Sequence, residues 1–147
     1  MNIKKIALGC DHAGFSHKDP IIEMLHDLGI EVQDFGTHSA DSVDYPDFVH
    51  PVAECLENGK ADLGVVICGS GNGVAITANK HQQIRCALCW NQEIAELSRQ
   101  HNNANVIAIP ARFVTVELAK SMVEIFIKTE FEGGRHGRRV DKIAISC

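Results

Sequence analysis

Apolar residues recur along this chain in short, nearly continuous runs at 4–9, 30–35, 63–68, 84–90 and 105–110. Runs of this length without alternation read as strands of a parallel sheet covered on both faces. Between them lie segments with helical periodicity, at 20–28, 46–57, 74–80, 92–99 and 114–128. In the last, Val116, Leu118, Ala119, Met122, Val123 and Phe126 repeat at the spacing of one buried helix face. Asp19-Pro20 resembles an N-cap followed by a proline in the first turn, and Asp44-Tyr45-Pro46 reads similarly. Strand and helix alternation this regular predicts right-handed βαβ units. The expected fold is α/β: a single-domain, doubly wound, five-stranded parallel sheet in an α/β/α sandwich. The pattern by itself sets no spatial order for the strands.

A length of 147 residues suits one domain over residues 1–147 with a real core. Hydrophobic residues at 45% and charged residues at 22% are those of a globular chain and argue against disorder. A net charge of −5 argues against a general nucleic-acid or anionic-membrane binder. No apolar stretch approaches a membrane span, and the first run breaks at Gly9, too short for a signal-peptide core, so a cytoplasmic location is expected. Of six cysteines, Cys10, Cys68, Cys86 and Cys89 lie in or at the ends of apolar runs, as free thiols of a reducing compartment do. Cys86 and Cys89 form a C-x-x-C, but on a strand their side chains point to opposite faces. The eight histidines show no H-E-x-x-H or comparable spacing, so no metal site and no cofactor are expected.

The chemistry concentrates in Val65-Val66-Ile67-Cys68-Gly69-Ser70-Gly71-Asn72-Gly73-Val74. An apolar strand ends in a thiol and a glycine-rich turn that opens a helix. Free backbone N–H groups there favour an anion, and their partial charge lowers a thiol's pKa. Open α/β sheets bind ligands at the carboxyl ends of their strands. Asp11-His12 follow the first strand, and Asn91 and Glu93 the fourth, so these groups are expected to converge with Cys68 on one edge. A carboxylate, an imidazole and a thiol suit proton transfer. Taken singly, they read equally as a helix cap, a surface histidine and a small buried hydrophobe.

Past Gly133-Gly134 the chain enters Arg135-His136-Gly137-Arg138-Arg139. On a helical turn Arg135 and Arg139 share one face, where two guanidinium forks fit a phosphate; the alternative is a solvated basic face. Residues 133–147 carry too little apolar surface to fold alone, and are expected to pack across the body or onto a partner subunit. His101-Asn102 precede the fifth strand at the far end of a helix, and as residues they read equally as a polar helix end. A phosphatase of the Cys-x5-Arg type is disfavoured, because Val74 stands six positions after Cys68, where that chemistry needs its arginine. A thiol acting as a base is the more economical reading.

Together these residues resemble the type B ribose-5-phosphate isomerases, a family that includes allose-6-phosphate and galactose-6-phosphate isomerases. The resemblance runs along nearly the whole chain. It rests on Gly9-Cys10-Asp11-His12-Ala13-Gly14-Phe15, Asp44-Tyr45-Pro46, Ile67-Cys68-Gly69-Ser70-Gly71-Asn72-Gly73 and Ala78-Asn79-Lys80, then on Leu97-Ser98-Arg99-Gln100-His101-Asn102 and Glu132-Gly133-Gly134-Arg135-His136. It implies a Rossmann-like fold, a homodimer or dimer of dimers with shared active sites, no metal or organic cofactor, and aldose–ketose interconversion of a sugar phosphate. By the same resemblance Cys68 matches the catalytic base and His101 the group that opens the furanose ring. Asp11, His12 and Asn102 match substrate contacts. Gly69, Ser70, Gly71, Asn72 and Gly73 match the anion hole, and Arg112, Arg135 and Arg139 the phosphate-side arginines.

One branch of the family has glycine where Cys68 stands and a glutamate base six residues on. Cys68 and Val74 place this chain with the cysteine branch. Family members begin the first helix soon after the Asp-His pair, whereas Pro20 predicts a later start or a kink. The activity the resemblance implies is interconversion of ribose 5-phosphate and ribulose 5-phosphate through a cis-enediolate, in the pentose phosphate pathway. Its rivals are a six-carbon sugar-phosphate isomerase, one half of a two-component isomerase, and a non-catalytic phosphate-ligand-binding module of flavodoxin-like shape.

Overall fold

The computed structural model describes residues 2–145. Strands β1 (Lys5–Cys10), β2 (Glu31–Asp34), β3 (Leu63–Cys68), β4 (Cys86–Leu88) and β5 (Val106–Pro110) alternate with helices α1 (Phe15–Asp27), α2 (Pro46–Glu57), α3 (Asn72–Ala78), α4 (Gln92–Gln100) and α5 (Val116–Lys128), and α6 (Arg135–Val140) follows. The strands form one parallel sheet in the order β2-β1-β3-β5-β4. From β1 the chain winds outward to β2, then crosses back to lay β3 on the other side of β1. That reversal opens a crevice at the carboxyl ends of β1 and β3. Asp11 and Cys68 lie at those two ends.

Two apolar layers cover the sheet. Ile21 and Leu25 of α1, Ala95 of α4, and Met122, Val123 and Phe126 of α5 bury one face, against Ile6, Leu8, Val65, Ile67, Ile107 and Ile109. Val49 and Val52 of α2 and Val74 and Ala78 of α3 bury the other, against Ala7, Val66, Cys68, Val106 and Ala108. The two-residue period of β3 therefore turns Ile67 to the first layer and Cys68 to the second. Small residues let α2 sit close on the second face. A Cβ on Gly9 would stand 2.1 Å from the Phe48 carbonyl oxygen, so β1 and α2 make backbone contact there.

The structure departs from the sequence expectations at element ends. Helix α1 begins at Phe15 and carries Pro20 inside it, so Asp19-Pro20 is not its start. The imino nitrogen costs one i→i−4 bond. The periodic burial of His17, Lys18, Ile21 and Leu25 runs straight through it, and that packing outweighs the lost bond. Pro51 lies inside α2 in the same way. At the sheet's edge β4 keeps only Cys86–Leu88 of the expected 84–90. Helix α3 starts two residues early, at Asn72. Helix α5 starts two residues late, at Val116, where the Thr115 hydroxyl accepts the Leu118 N–H at 3.1 Å.

Among the described residues the basic tail lies across its own chain. The Glu132 N–H donates to the Gln100 carbonyl at 3.1 Å, which ties the tail to the end of α4. Ile143 and Ile145 stay 55% and 75% exposed. The last two residues of the expected tail segment, 146–147, lie outside the described residues.

Candidate active site

Cys68 ends β3, and its Sγ accepts the Gly71 N–H at 3.2 Å. Gly71 caps α3 at φ 75°, a conformation suited to glycine. A Cβ there would also meet Leu88 Cδ1 at 2.3 Å and the Pro110 nitrogen at 3.2 Å. Gly73 lies directly beneath the Tyr45 ring, with 2.6 Å from a built Cβ to Cζ. Ser70 and Asn72 are exposed, and the Ser70 hydroxyl accepts the Asn72 N–H at 3.3 Å. The glycines thus leave the turn from Gly69 to Gly73 as bare backbone.

The exit of β5 is fastened to the same turn. Ala111 N–H donates to the Cys68 carbonyl at 2.8 Å and Arg112 N–H to the Gly69 carbonyl at 3.0 Å. The Arg112 side chain, exposed to solvent, lies over Gly69, with Cδ, Nε and Cζ each 3.2 Å from a built Cβ. A guanidinium therefore flanks the thiol's turn.

Asp11 sits on the neighbouring strand end, 7% exposed, with its N–H donating to the Ile67 carbonyl at 3.2 Å. Its Oδ1 accepts the N–H groups of Ala13 at 2.9 Å and Gly14 at 3.2 Å, so it caps the turn into α1. His12 Nδ1 accepts the Val43 N–H at 3.2 Å, which leaves the neutral ring's proton on Nε2. A cleft of about 480 Å³ opens beside these two residues, walled by Val43, Asp44, Tyr45 and Asp47.

The other described cysteines are poor bases. Burial pushes the Cys10 thiol up to about 11, against an opposing hydrogen bond from Thr37 N–H and the Lys18 charge. Burial pushes Cys89 up to about 12 and raises Cys86 and Cys55 as well. Cys86 packs on the α2/α3 layer and Cys89 in the opposite one, as a strand's alternation requires.

A second group gathers at the other end of the sheet. His101 caps the C-terminus of α4 and stacks on His136, with ring centroids 4.2 Å apart and planes 9° from parallel. His136 is buried, and its Nε2 lies 3.5 Å from Glu132 Oε2. Burial, then the His101 and Arg135 charges, lower the pKa of His136. His101, Asn102, His136 and Arg139 face a cleft of about 390 Å³. Arg135 and Arg139 are exposed on α6.

The structure divides the sequence-predicted residues into two sets. Asp11, His12, Cys68, Gly69 to Gly73 and Arg112 share the carboxyl edge. His101, Asn102, Arg135 and Arg139 lie at the amino end of β5. Cys68 pairs with Pro110, and His101-Asn102 precede Val106. The four steps of strand between Val106 and Pro110 alone span roughly 13 Å. Asn91 and Glu93 do not converge with Cys68, contrary to expectation. Asn91 Oδ1 accepts the Ile94 N–H at 2.9 Å as the cap of α4, and β4 is an edge strand, separated from β3 by β5. In the sequence Tyr45 reads as part of a helix start and of the motif Asp44-Tyr45-Pro46, with no role at the site. Its ring covers Gly73, and the glycine opposite an aromatic was the available signal.

The chain matches the family model described as Ribose/Galactose Isomerase over residues 6–143. It is 46% identical to ribose-5-phosphate isomerase B of Escherichia coli over 141 residues, covering 96% of this chain and 95% of that one. A structure of the Clostridium thermocellum ribose-5-phosphate isomerase B superimposes with a TM-score of 0.93 at 50% identity, over 95% of this chain and 94% of that one. The Mycoplasma genitalium ribose-5-phosphate isomerase B, crystallised with bound ribulose 5-phosphate, gives 0.90 at 43% identity, over 95% and 93%.

Proposed function

This chain belongs to the ribose/galactose isomerase family, and on that footing we propose that it is an isomerase interconverting ribose 5-phosphate and ribulose 5-phosphate. The observation that carries the reading is Cys68, placed at the switch-point crevice with its sulfur accepting the Gly71 N–H beside Arg112. The thiolate removes the proton on C2 of the open-chain aldose, and the electron pair moves toward the C1 oxygen to form a cis-enediolate. Backbone N–H groups of the Gly69–Gly73 turn other than those of Gly71 and Asn72, which donate to Cys68 Sγ and the Ser70 hydroxyl, stabilise the developing oxyanion, where one such donor is typically worth about 10²–10³ in rate. The hydroxyl proton on O2 then passes to the neighbouring O1, the Cys68 thiol returns its proton to C1, and the C2 oxygen becomes the ketone carbonyl. Asp11 and His12 Nε2–H hold the sugar hydroxyls.

His101 opens the furanose ring, and the phosphate sits among Arg112, Arg135 and Arg139. One chain holds these groups too far apart to touch one five-carbon substrate, so a second copy supplies His101, Asn102, Arg135 and Arg139 to each Cys68. The assembly is a homodimer, or a dimer of dimers, with sites shared across the interface.

Purified protein is expected to turn over ribose 5-phosphate in preference to allose 6-phosphate and galactose 6-phosphate, followed as ketose formation. Preference for a six-carbon substrate would overturn the pentose reading, and binding without turnover would overturn the isomerase reading. Sharing has its own test. Cys68→Ala and His101→Asn, each inactive alone, are expected to recover roughly a quarter of wild-type turnover when mixed and allowed to exchange subunits, because half the chains enter heterodimers with one intact site of two. No recovery under demonstrated exchange would rule out a shared site.

A further inference from the structure

We propose that His101, Glu132 and His136 form a transition-metal site whose occupation inhibits the enzyme. Their ligand atoms all lie within 4.8 Å of one another. The donors come from two segments that the fold brings together: His101 ends α4, whereas Glu132 lies in the loop ahead of Gly133-Gly134 and His136 in the first turn of α6. The Glu132 N–H bond to Gln100 ties these segments together, and the His101–His136 stack brings the two rings close. His136 is buried while the Glu132 side chain is exposed, so a fixed imidazole is paired with a carboxylate free to swing. Tetrahedral zinc with bonds near 2.0–2.2 Å needs donors about 3.4 Å apart. Binding requires Glu132 to rotate and the His101 ring to swing out of its stack on His136, and solvent takes the fourth position.

Two imidazoles and one carboxylate select zinc, copper or nickel over magnesium and calcium, which prefer all-oxygen shells. The neighbouring charges sharpen that choice. Arg135 and Arg139 stand on the same short helix and repel any cation held by charge alone. The bonded ion ties up the lone pair of His101. The inhibitory half of the proposal therefore rests on the ring-opening role proposed for that residue, whereas the site itself does not.

The test is a calorimetric titration of the metal-free full-length protein with Zn²⁺, paired with the visible absorption of bound Co²⁺. The expected result is one ion per chain, weakened at least about tenfold in Glu132→Gln, with no heat from Mg²⁺. A His50→Gln control removes the separate His50–His81 contact on α2 and is expected to leave binding unchanged. Binding that Glu132→Gln and His136→Gln leave untouched, or that His50→Gln abolishes, overturns the site. In the activity arm, Zn²⁺ inhibits wild-type turnover of ribose 5-phosphate. Glu132→Gln keeps its metal-free turnover and loses that sensitivity. Inhibition that persists in Glu132→Gln overturns the inhibitory role. A metal-free enzyme that turns over no sugar phosphate counts against the functional reading and leaves the calorimetric result standing.

Discussion

Cys68→Ala is expected to lower kcat on ribose 5-phosphate by about 10³-fold, the scale of a lost general base. It is also expected to abolish exchange of the substrate's C2 proton with solvent deuterium. The protein should stay folded, because a small residue replaces a small one at the end of β3. Substrate affinity should change little, since the arginines and the glycine turn remain. No neighbouring thiol is placed to substitute. Cys10, on the adjacent strand, turns into the opposite layer and has its thiol raised to about 11 by burial. Cys86 and Cys89 are raised for the same reason. Rate and exchange are read by ketose formation and by proton NMR in deuterated water. Exchange at the wild-type rate in a folded variant would remove Cys68 from the mechanism.

Lys18→Met is expected to cost about 3 kcal/mol of stability, the low end for breaking a buried ion pair, because Asp34 keeps some solvent contact. Lys18 is 2% exposed on α1. Its Nζ donates to Asp34 Oδ2 at 2.8 Å and to the Thr37 carbonyl at 2.6 Å, and it lies 5.6 Å from the Phe15 ring centroid. Asp34 Oδ1 in turn accepts the Gly36 N–H at 2.8 Å. The loop so held pairs with Cys10, immediately before Asp11: Cys10 N–H donates to Gly36 and Thr37 N–H to Cys10. Methionine keeps the stem but leaves the Asp34 carboxylate and the Thr37 carbonyl without the ammonium. For a chain of this size the loss corresponds to roughly 10 °C in Tm, measured by thermal unfolding followed by circular dichroism. Lys18→Met with Asp34→Leu is expected to regain part of it, because no unpaired charge remains. A shift under about 2 °C in the single variant would show that the pair contributes little.

The two predictions differ in how legible their residues were. Cys68 stood at the end of an apolar run before Gly69-Ser70-Gly71-Asn72-Gly73, and local pattern alone marked it. Lys18 carried no such signal. A lysine three residues into a helix reads as a solvated surface charge, and the expected start at Pro20 left it outside the helix altogether. Its burial follows from Asp34 and Thr37, which approach it only when β2 pairs with β1. The Asn91 expectation failed for a related reason. The strand-end rule is correct for a central strand, but β4 lies at the edge and Asn91 is spent on the cap of α4.

By itself the sequence determined the α/β class, the five parallel strands, most helices, and which candidate groups stand at the ends of β1 and β3. Each of these depends on residues close together in the chain, through periodicity, turn residues and the strand-to-helix junction. Only the tertiary structure decided the order β2-β1-β3-β5-β4, the neighbouring strand ends that carry Asp11 and Cys68, and the burial of Lys18. The same holds for the meeting of His101 with His136 and Glu132, and for the placing of His101 and Cys68 at opposite ends of β5. These depend on which strands lie side by side, a choice made by long-range burial of two apolar layers that no local window of sequence contains.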